Sequence, residues 1–285
     1  MQELTLNLIK KMKTLKLLAI CFLVTAYSFA NVSSTDKDAL VALYNATNGS
    51  EWNSSWDLNA SVDKWYGVKL ENDKVVEINL QFNNLNGNLP LEIGSLTSLK
   101  VLNLGFNKLK GALPSSLKNL KALTTLNLFM NGFEGNIPSE LGELKKLESL
   151  KLYSNKFAGE IPSSLMGLTN LKELLLGSNF LTGQIPIEIY ALSKLQKLSL
   201  MDNKMDGEIP AEIAQLKDLE ELLLSTNQFS GDLPQEFMNL TKLSTMMVSD
   251  NNLNQEYISV SGKKPPTLKY IKLQSATANM DIEKE

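Results

Sequence analysis

The sequence lacks several residue types on which enzymes and nucleic-acid-binding proteins depend. Its 285 residues include no histidine and no arginine, and the one cysteine is Cys21. Without histidine, the usual general base and the commonest transition-metal ligand are missing. The net charge is −3 and lysine is the one basic residue type, so phosphate groups would meet no arginine-rich patch. We therefore expect no metal or other cofactor, no nucleic-acid partner and no catalytic activity.

Long hydrophobic runs are also scarce, with one exception near the N-terminus. Residues 17–30 form a mostly apolar run without charge, which follows Lys13 and Lys16. Ser28 and Ala30 supply small residues at the end of this run. Such an arrangement is typical of a secretory signal peptide. The run has 14 residues, whereas a membrane-spanning helix needs about 20, so we expect no transmembrane segment.

We assign residues 1–30 to the signal peptide, with translation from Met1 or Met12. Two other interpretations stay open: a first helix of the mature fold, or lipid attachment at Cys21. Ile20 is bulky for the position before a lipidated cysteine. Loss of residues 1–30 removes four Lys and one Glu, which changes the net charge from −3 to −6 and leaves no cysteine. The mature protein must then be stabilised by its core alone. We expect it to be secreted or on the cell surface, with the periplasm left open.

From residue 75 onward the chain repeats itself every 24 residues. Glycine recurs from Gly87 to Gly231 and proline from Pro90 to Pro234 with this spacing. Three independent columns with one period indicate a stack of identical structural units. The third column consists of asparagines, which are Asn83, Asn107, Asn131, Asn155, Asn179, Asn203, Asn227 and Asn251.

Each column has a physical role in a coil that stacks on copies of itself. Alternating leucines such as Leu102 and Leu104 predict a short strand with one buried face. Asn107 follows where the chain turns inward, and its amide can bond backbone groups that the turn would otherwise bury unpaired. Gly111 suits unusual backbone dihedrals. Pro114, which fixes φ and lacks a donor, suits the start of the return segment.

The pattern LxxLxLxxNxLxGxIP resembles the plant-type subclass of the leucine-rich-repeat family. The resemblance covers residues 75–254, which contain seven full repeats and one degenerate repeat. It implies an α/β repeat solenoid, a right-handed coil with a concave parallel β-sheet and short 3₁₀ or α segments on the convex side. No coil can bury its apolar face alone, so stability depends on the neighbouring coils.

Residues 31–74 depart from the period and predict an N-terminal cap. Ser34 and Thr35 offer a helix start, and three tryptophans follow before the first repeat. We favour tryptophans that plug the open end of the core, although a flat sugar-binding platform is an alternative. Plant family members flank a similar W-x-G-V element with a cysteine pair, but Asp63 and Leu70 occupy these sites here. The missing disulfide favours a bacterial relative.

Residues 255–285 predict a C-terminal cap. Residues 268–273 reproduce the LxxLxL spacing and predict a last strand, and a polar tail follows from Ser275. Proline and lysine residues before that strand discourage association through its edge.

The outward positions of the strands hold the candidate binding residues. Nothing in the repeat requires apolar side chains there, and a contiguous exposed apolar surface usually marks a binding site. Scattered single apolar residues are the alternative interpretation. The candidates are Phe82, Phe106, Phe129, Met130, Tyr153, Leu175, Met201, Leu223 and Met247.

One carboxylate pair needs checking for catalysis. Glu173 and Glu221 occupy the same outward position two coils apart, about 10 Å at ~4.8 Å per strand. This slightly exceeds the ~6.5–9.5 Å of an inverting glycosidase, so a solvated charged face is favoured.

Two functional classes remain. The first is a secreted module that binds a protein or peptide on its concave face. The second is a polysaccharide-binding or adhesion protein, because aromatic rings also stack on sugars. The oligomeric state stays open.

The signal peptide generates the first testable prediction. Exported protein, expressed from Met12, should begin at Asn31, because small residues precede that position. Mass spectrometry of the exported protein measures this, and soluble exported protein that retains residues 12–30 would contradict it.

Overall fold

A computed structural model describes residues 32–255 and the two-residue strand at 260–261. The described chain is the predicted leucine-rich-repeat solenoid, with strands stacked in parallel and 3₁₀ helices on the opposite side. We number the coils 1 to 8 by their asparagines, from Asn83 to Asn251. The signal peptide, the strand predicted at 268–273 and the polar tail lie outside the described residues.

Within the described residues the concave sheet has ten strands, and each coil from 1 to 8 contributes one that pairs in register with its neighbours. Its edges differ from the rest, because β1 pairs antiparallel with β2 and β18 pairs antiparallel with β16. Numbered along the chain, the strands are β1 (Val68–Glu71), β2 (Lys74–Asn79), β4 (Val101–Asn103), β6 (Thr125–Asn127), β8 (Ser149–Lys151), β10 (Glu173–Leu175), β12 (Lys197–Ser199), β14 (Glu221–Leu223), β16 (Thr245–Met247) and β18 (Val260–Ser261).

A second parallel sheet runs along the side of the solenoid, which the sequence pattern did not predict. Six of its strands form one sheet and the last two form a pair. The strands are β3 (Asn86–Asn88), β5 (Lys108–Gly111), β7 (Gly132–Asn136), β9 (Lys156–Gly159), β11 (Phe180–Gly183), β13 (Lys204–Met205), β15 (Ser230–Gly231) and β17 (Asn252–Leu253). Glycines such as Gly111 end these strands with φ near +76°, which confirms the need for glycine in this column.

The convex side consists of 3₁₀ helices, each preceded by a proline of the repeat. Pro114, for example, is the N-cap of the helix that buries Leu117 and leads into Leu120. The repeat helices are η3 (Leu91–Ser95), η4 (Ser115–Asn119), η5 (Ser139–Glu143), η6 (Ser163–Gly167), η7 (Ile187–Ala191), η8 (Ala211–Gln215) and η9 (Gln235–Asn239). Two more, η1 (Gly49–Glu51) and η2 (Val62–Lys64), precede the repeats.

The core is a continuous stack of leucine, isoleucine and phenylalanine between these three walls. Phe133 and Phe157 of neighbouring coils are fully buried and stack with ring centroids 6.3 Å apart. Fully burying one such side chain contributes roughly 1.5–3 kcal/mol.

The repeated asparagines form a hydrogen-bonded ladder inside the solenoid. Asn155 Nδ2 donates to the carbonyl oxygens of Leu152 in its own coil and Leu128 in the preceding coil, each at 3.0 Å. Its Oδ1 accepts from the backbone N–H of Phe133, also at 3.0 Å. Each asparagine therefore satisfies turn groups in two coils at once. Asn83 has no preceding coil, and its Oδ1 accepts instead from the N–H of Ser54 at 2.7 Å.

The chain before the repeats begins with helix α1 (Ser34–Ala46). The capping residue is Ser33, whose Oγ accepts from the N–H of Asp36, so the cap lies one residue before the predicted start. Asp36 Oδ2 accepts from the N–H of Val75 and ties α1 to β2.

The three tryptophans are core residues. Trp52, Trp56 and Trp65 are 3–5% exposed, and each indole N–H donates to a backbone carbonyl. Trp56 stacks on Trp65 with centroids 4.8 Å apart. Their burial excludes the alternative of an exposed sugar platform.

The ladder generates a stability prediction. Asn155→Ala should lower the free energy of unfolding by roughly 1–3 kcal/mol, because it leaves buried carbonyl and N–H groups unpaired. Urea denaturation measures this. As a control, Asn119→Ala on the exposed face of η4 should change stability by no more than about 0.5 kcal/mol. Equal effects of both substitutions would contradict a structural role for the ladder.

Candidate functional site

The residue before each ladder asparagine lies at the edge of the concave sheet in a left-handed conformation. We call these residues the rim row, and their φ angles lie between 52° and 60°. In coils 1 to 7 the backbone N–H of this residue donates to a carbonyl of the next coil, as from Phe106 to Phe129 at 2.9 Å. The rim row is therefore a continuous line of side chains along the solenoid. Its members are Phe82, Phe106, Met130, Ser154, Ser178, Asp202, Thr226 and Asp250.

Coils 1 to 3 place bulky apolar side chains in this strained position. Phe82, Phe106 and Met130 are 67%, 43% and 40% exposed. A left-handed conformation costs an L-residue roughly 1–2 kcal/mol, and asparagine, aspartate and glycine tolerate it better. These three side chains therefore gain little from burial and are held in an unfavourable conformation. Strained residues of this kind cluster at functional sites.

The predicted aromatic residues of coils 1 to 4 lie together as two ring pairs. Phe82 and Phe106 meet edge to face with centroids 5.4 Å apart. Phe129 and Tyr153 stack at 4.8 Å with an interplanar angle of 10°. We call these four rings, together with Met130 of coil 3, the aromatic patch.

Phe129 is less exposed than its outward strand position predicts. Its ring lies against Gly105 of the preceding coil, where an added Cβ would approach the ring to 2.6 Å. Phe129 and Tyr153 are consequently half-buried. Burial raises the pKa of Tyr153, so its phenol remains a neutral hydrogen-bond donor at physiological pH.

The other four candidates form a separate aliphatic row in coils 5 to 8. Leu175, Leu223 and Met247 share one register position across the concave sheet, with Ser199 between the first two. Met201 lies beside this row and packs over Gly177. All four apolar candidates are half-buried, so their exposed apolar surface is smaller than that of the aromatic patch.

An ion pair separates the two apolar regions. Lys151 Nζ lies 2.9 Å from Glu173, which also accepts from Ser149 Oγ at 2.8 Å. Burial raises the pKa of Glu173, but the hydrogen bonds from Lys151 and Ser149 and the nearby lysines bring it below the usual glutamate value. Glu221 pairs in the same way with Lys197 at 2.9 Å. Glu173 is therefore ionised at neutral pH, which is the wrong state for a general acid.

One amide of the concave face has an unusual environment. Within the described residues, Oδ1 of Asn127 is the one buried side-chain polar atom without a hydrogen-bond partner. Asn127 lies in register between Asn103 and Lys151, two residues before Phe129. A buried acceptor without a partner costs about 1–3 kcal/mol, and such an atom needs an explanation in function or in bound water.

The described residues contain neither a metal-binding cluster nor a membrane-spanning helix. Among the described residues, no group of three or more cysteine, aspartate or glutamate side chains is placed to hold a metal ion. None of the described helices is both long and apolar enough to span a membrane.

Comparison with family models identifies the repeats. The model described as Leucine Rich Repeat matches five segments, at residues 98–120, 122–144, 146–168, 170–192 and 218–240. No curated protein matches the chain.

Several solved structures are similar to this fold. The structure titled PEPR1-AtPEP1 is 34% identical, with a TM-score of 0.73, and the match covers 78% of this chain and 32% of that chain. The Arabidopsis receptor kinase HAESA ectodomain, solved with a peptide hormone ligand, is 30% identical, with a TM-score of 0.61 and coverage of 76% and 41%. A plant ice-binding protein is 28% identical, with a TM-score of 0.72 and coverage of 83% and 77%. The chain thus spans less than half of the PEPR1 and HAESA chains.

The unpartnered amide generates a prediction. Asn127→Leu should leave the free energy of unfolding unchanged or raise it by up to about 2 kcal/mol, because it removes an unsatisfied buried acceptor. Asn103→Leu is the matched control, since Asn103 Nδ2 donates to Asn79 and Gln81 at 3.1 and 3.0 Å. The control should lose about 1 kcal/mol. Urea denaturation measures both free energies of unfolding. If Asn127→Leu loses as much as Asn103→Leu, the side chain of Asn127 is also hydrogen-bonded.

Proposed function

We propose that this chain, which is a leucine-rich-repeat protein of the plant type, is a secreted or cell-surface module that binds a protein or peptide on its concave face. The aromatic patch is the proposed contact surface, and the aliphatic row extends it. The bacterial origin that the missing cysteine pair favours remains a prediction.

The observation that carries this proposal is the strain at the rim row. Coils 4 and 5 have serine in the same backbone conformation, whereas coils 1 to 3 have Phe82, Phe106 and Met130. Small or polar residues would fit the fold better there. Aromatic and methionine side chains bury much surface at an interface, so a binding partner would compensate for the strain.

The structural neighbours give independent support. The Arabidopsis HAESA ectodomain was solved with a peptide hormone ligand, and its repeats are similar to those of this chain. Function depends on the side chains of a site more than on the fold, so the proposal rests first on the aromatic patch.

A polysaccharide ligand is the alternative, but the ring geometry favours it less. A sugar stacks on an open ring face, whereas Phe129 and Tyr153 cover each other's faces at 4.8 Å. The exposed rings of Phe82 and Phe106 meet edge to face and provide no flat platform.

An ice surface fits this concave face poorly. A repeating lattice would favour the same small side chain in every coil, because the lattice presents identical spacings. The rim row instead changes from phenylalanine to serine to aspartate along the solenoid.

We also propose that the protein has no catalytic activity of its own. Glu173 and Glu221 are engaged by Lys151 and Lys197, and the lowered pKa of Glu173 suits an ion pair better than proton transfer.

The test replaces both exposed rings of the rim row. Phe82→Ser/Phe106→Ser should weaken binding to a captured protein or peptide partner by at least about 2 kcal/mol, the scale of an interface hot spot. Because serine occupies the same position in coils 4 and 5, stability should be unchanged or higher by about 1 kcal/mol. Isothermal titration calorimetry measures the affinity, and thermal unfolding measures the stability.

The matched control removes equally exposed apolar residues from the convex face. Leu91 and Met238 are 65% and 52% exposed on η3 and η9, and Leu91→Ser/Met238→Ser should leave binding intact. Normal binding by a folded Phe82/Phe106 variant would exclude the aromatic patch. Binding of the mature protein to a glycan array with no peptide or protein partner would favour the polysaccharide alternative.

A further inference from the structure

Negative charge is concentrated in the last third of the described solenoid. Residues 32–179 have fifteen acidic residues and fourteen lysines, whereas residues 180–255 have eleven acidic residues and five lysines. The net charge of the mature chain therefore comes mainly from coils 5 to 8. A ligand that lies along the whole concave face would meet a neutral first half and an acidic second half.

The rim row shows this change in its own side chains. Coils 1 to 3 have the exposed apolar residues, coils 4 and 5 have Ser154 and Ser178, and coils 6 and 8 have Asp202 and Asp250. Both aspartates are exposed, and within the described chain neither forms an ion pair. Lys204, the lysine nearest in sequence to Asp202, lies instead over the ring of Phe180, with its Nζ 5.3 Å from the ring centroid.

Most charges in the middle of the concave sheet are already paired, although Glu220 of coil 7 is exposed and forms no ion pair within the described chain. Lys151 with Glu173, Lys172 with Glu148 and Lys197 with Glu221 are 2.7–2.9 Å apart. The centre of the concave face is consequently close to neutral. Asp202 and Asp250 remain as the rim charges that a ligand can neutralise.

Distances along the rim row follow from the spacing of the coils. At about 4.8 Å per coil, Met130 is about 14 Å from Asp202, and Asp202 is about 10 Å from Asp250. An extended peptide advances about 3.3 Å per residue. Met130 is thus about 14 Å from one aspartate and about 24 Å from the other, so about four to seven residues separate a peptide side chain at Met130 from one that lies between Asp202 and Asp250.

We propose that the ligand of the concave face is an extended peptide segment with apolar residues at one end and a lysine or arginine four to seven residues away. The apolar end contacts Phe82, Phe106 and Met130, and the basic side chain lies between Asp202 and Asp250. This inference rests on the proposed peptide-binding function and adds the chemical class and polarity of the ligand.

The test starts from random twelve-residue peptides selected on the mature protein. Selected peptides should combine apolar residues with a lysine or arginine at this spacing. One such peptide then serves as the probe, and a second version has glutamine in place of its basic residue. Asp202→Asn/Asp250→Asn should weaken binding of the basic probe about three- to ten-fold, as two exposed ion pairs allow. The same variant should not affect the glutamine probe, and the loss should shrink at high salt.

The control variant makes the same charge change in the same part of the solenoid, away from the rim row. Asp206 and Asp232 line the lateral groove beside the second sheet, and Asp206→Asn/Asp232→Asn should leave both probes unaffected. Equal losses of affinity for the basic probe in the two variants would overturn the inference. The loss would then come from the overall charge of these coils and not from the two rim aspartates.

Two further outcomes separate this inference from the proposed function. If the selected peptides lack a basic residue but still bind at Phe82 and Phe106, the proposed apolar-to-basic polarity of the ligand is wrong. The proposed peptide-binding function is then unaffected. Failure to select any peptide, together with binding to oligosaccharides, would overturn both.

Discussion

The structure depends on hydrogen bonds that each coil can make only with the next one. A ladder asparagine such as Asn155 bonds carbonyl groups in its own coil and the preceding coil, and accepts an N–H from the preceding coil. A single coil would therefore bury unpaired polar groups as well as expose its leucines. At the first coil the loop at Ser54 takes the place of a preceding coil. The N-terminal cap is thus part of the polar network as well as a cover for the core.

Because the ladder and the leucines hold the backbone, the concave side chains are free to differ between coils. The register of the strands is constant from β2 to β16, whereas the rim row changes from apolar residues in coils 1 to 3 to serine in coils 4 and 5 and aspartate in coils 6 and 8. The fold therefore leaves the residue type at these positions open. Gly105 is an instructive exception, because its lack of a side chain gives the Phe129 ring its place.

The sequence predicts the repeat, the concave strands and the convex 3₁₀ turns, because fixed leucine, asparagine and proline columns mark them. It does not reveal the second sheet, since strands such as Lys108–Gly111 are short and bury a single apolar side chain. The exposure of Phe129 also depends on a glycine 24 residues earlier, a contact that no local pattern shows. The strain at Phe82 was predictable in principle, because Ser154 and Asp202 in the same column favour a left-handed turn.

The antiparallel edge strands have a consequence for assembly. A stack of identical coils could in principle grow without limit. The outer side of the last coil could pack on the first coil of another molecule in the way that neighbouring coils pack within one molecule. Here β1 and β18 run against the direction of the sheet. An incoming solenoid would therefore meet, at either edge of the described sheet, a strand that cannot continue the parallel stacking of coil on coil. The reversal disfavours end-to-end growth by the same contacts that join the coils within the molecule.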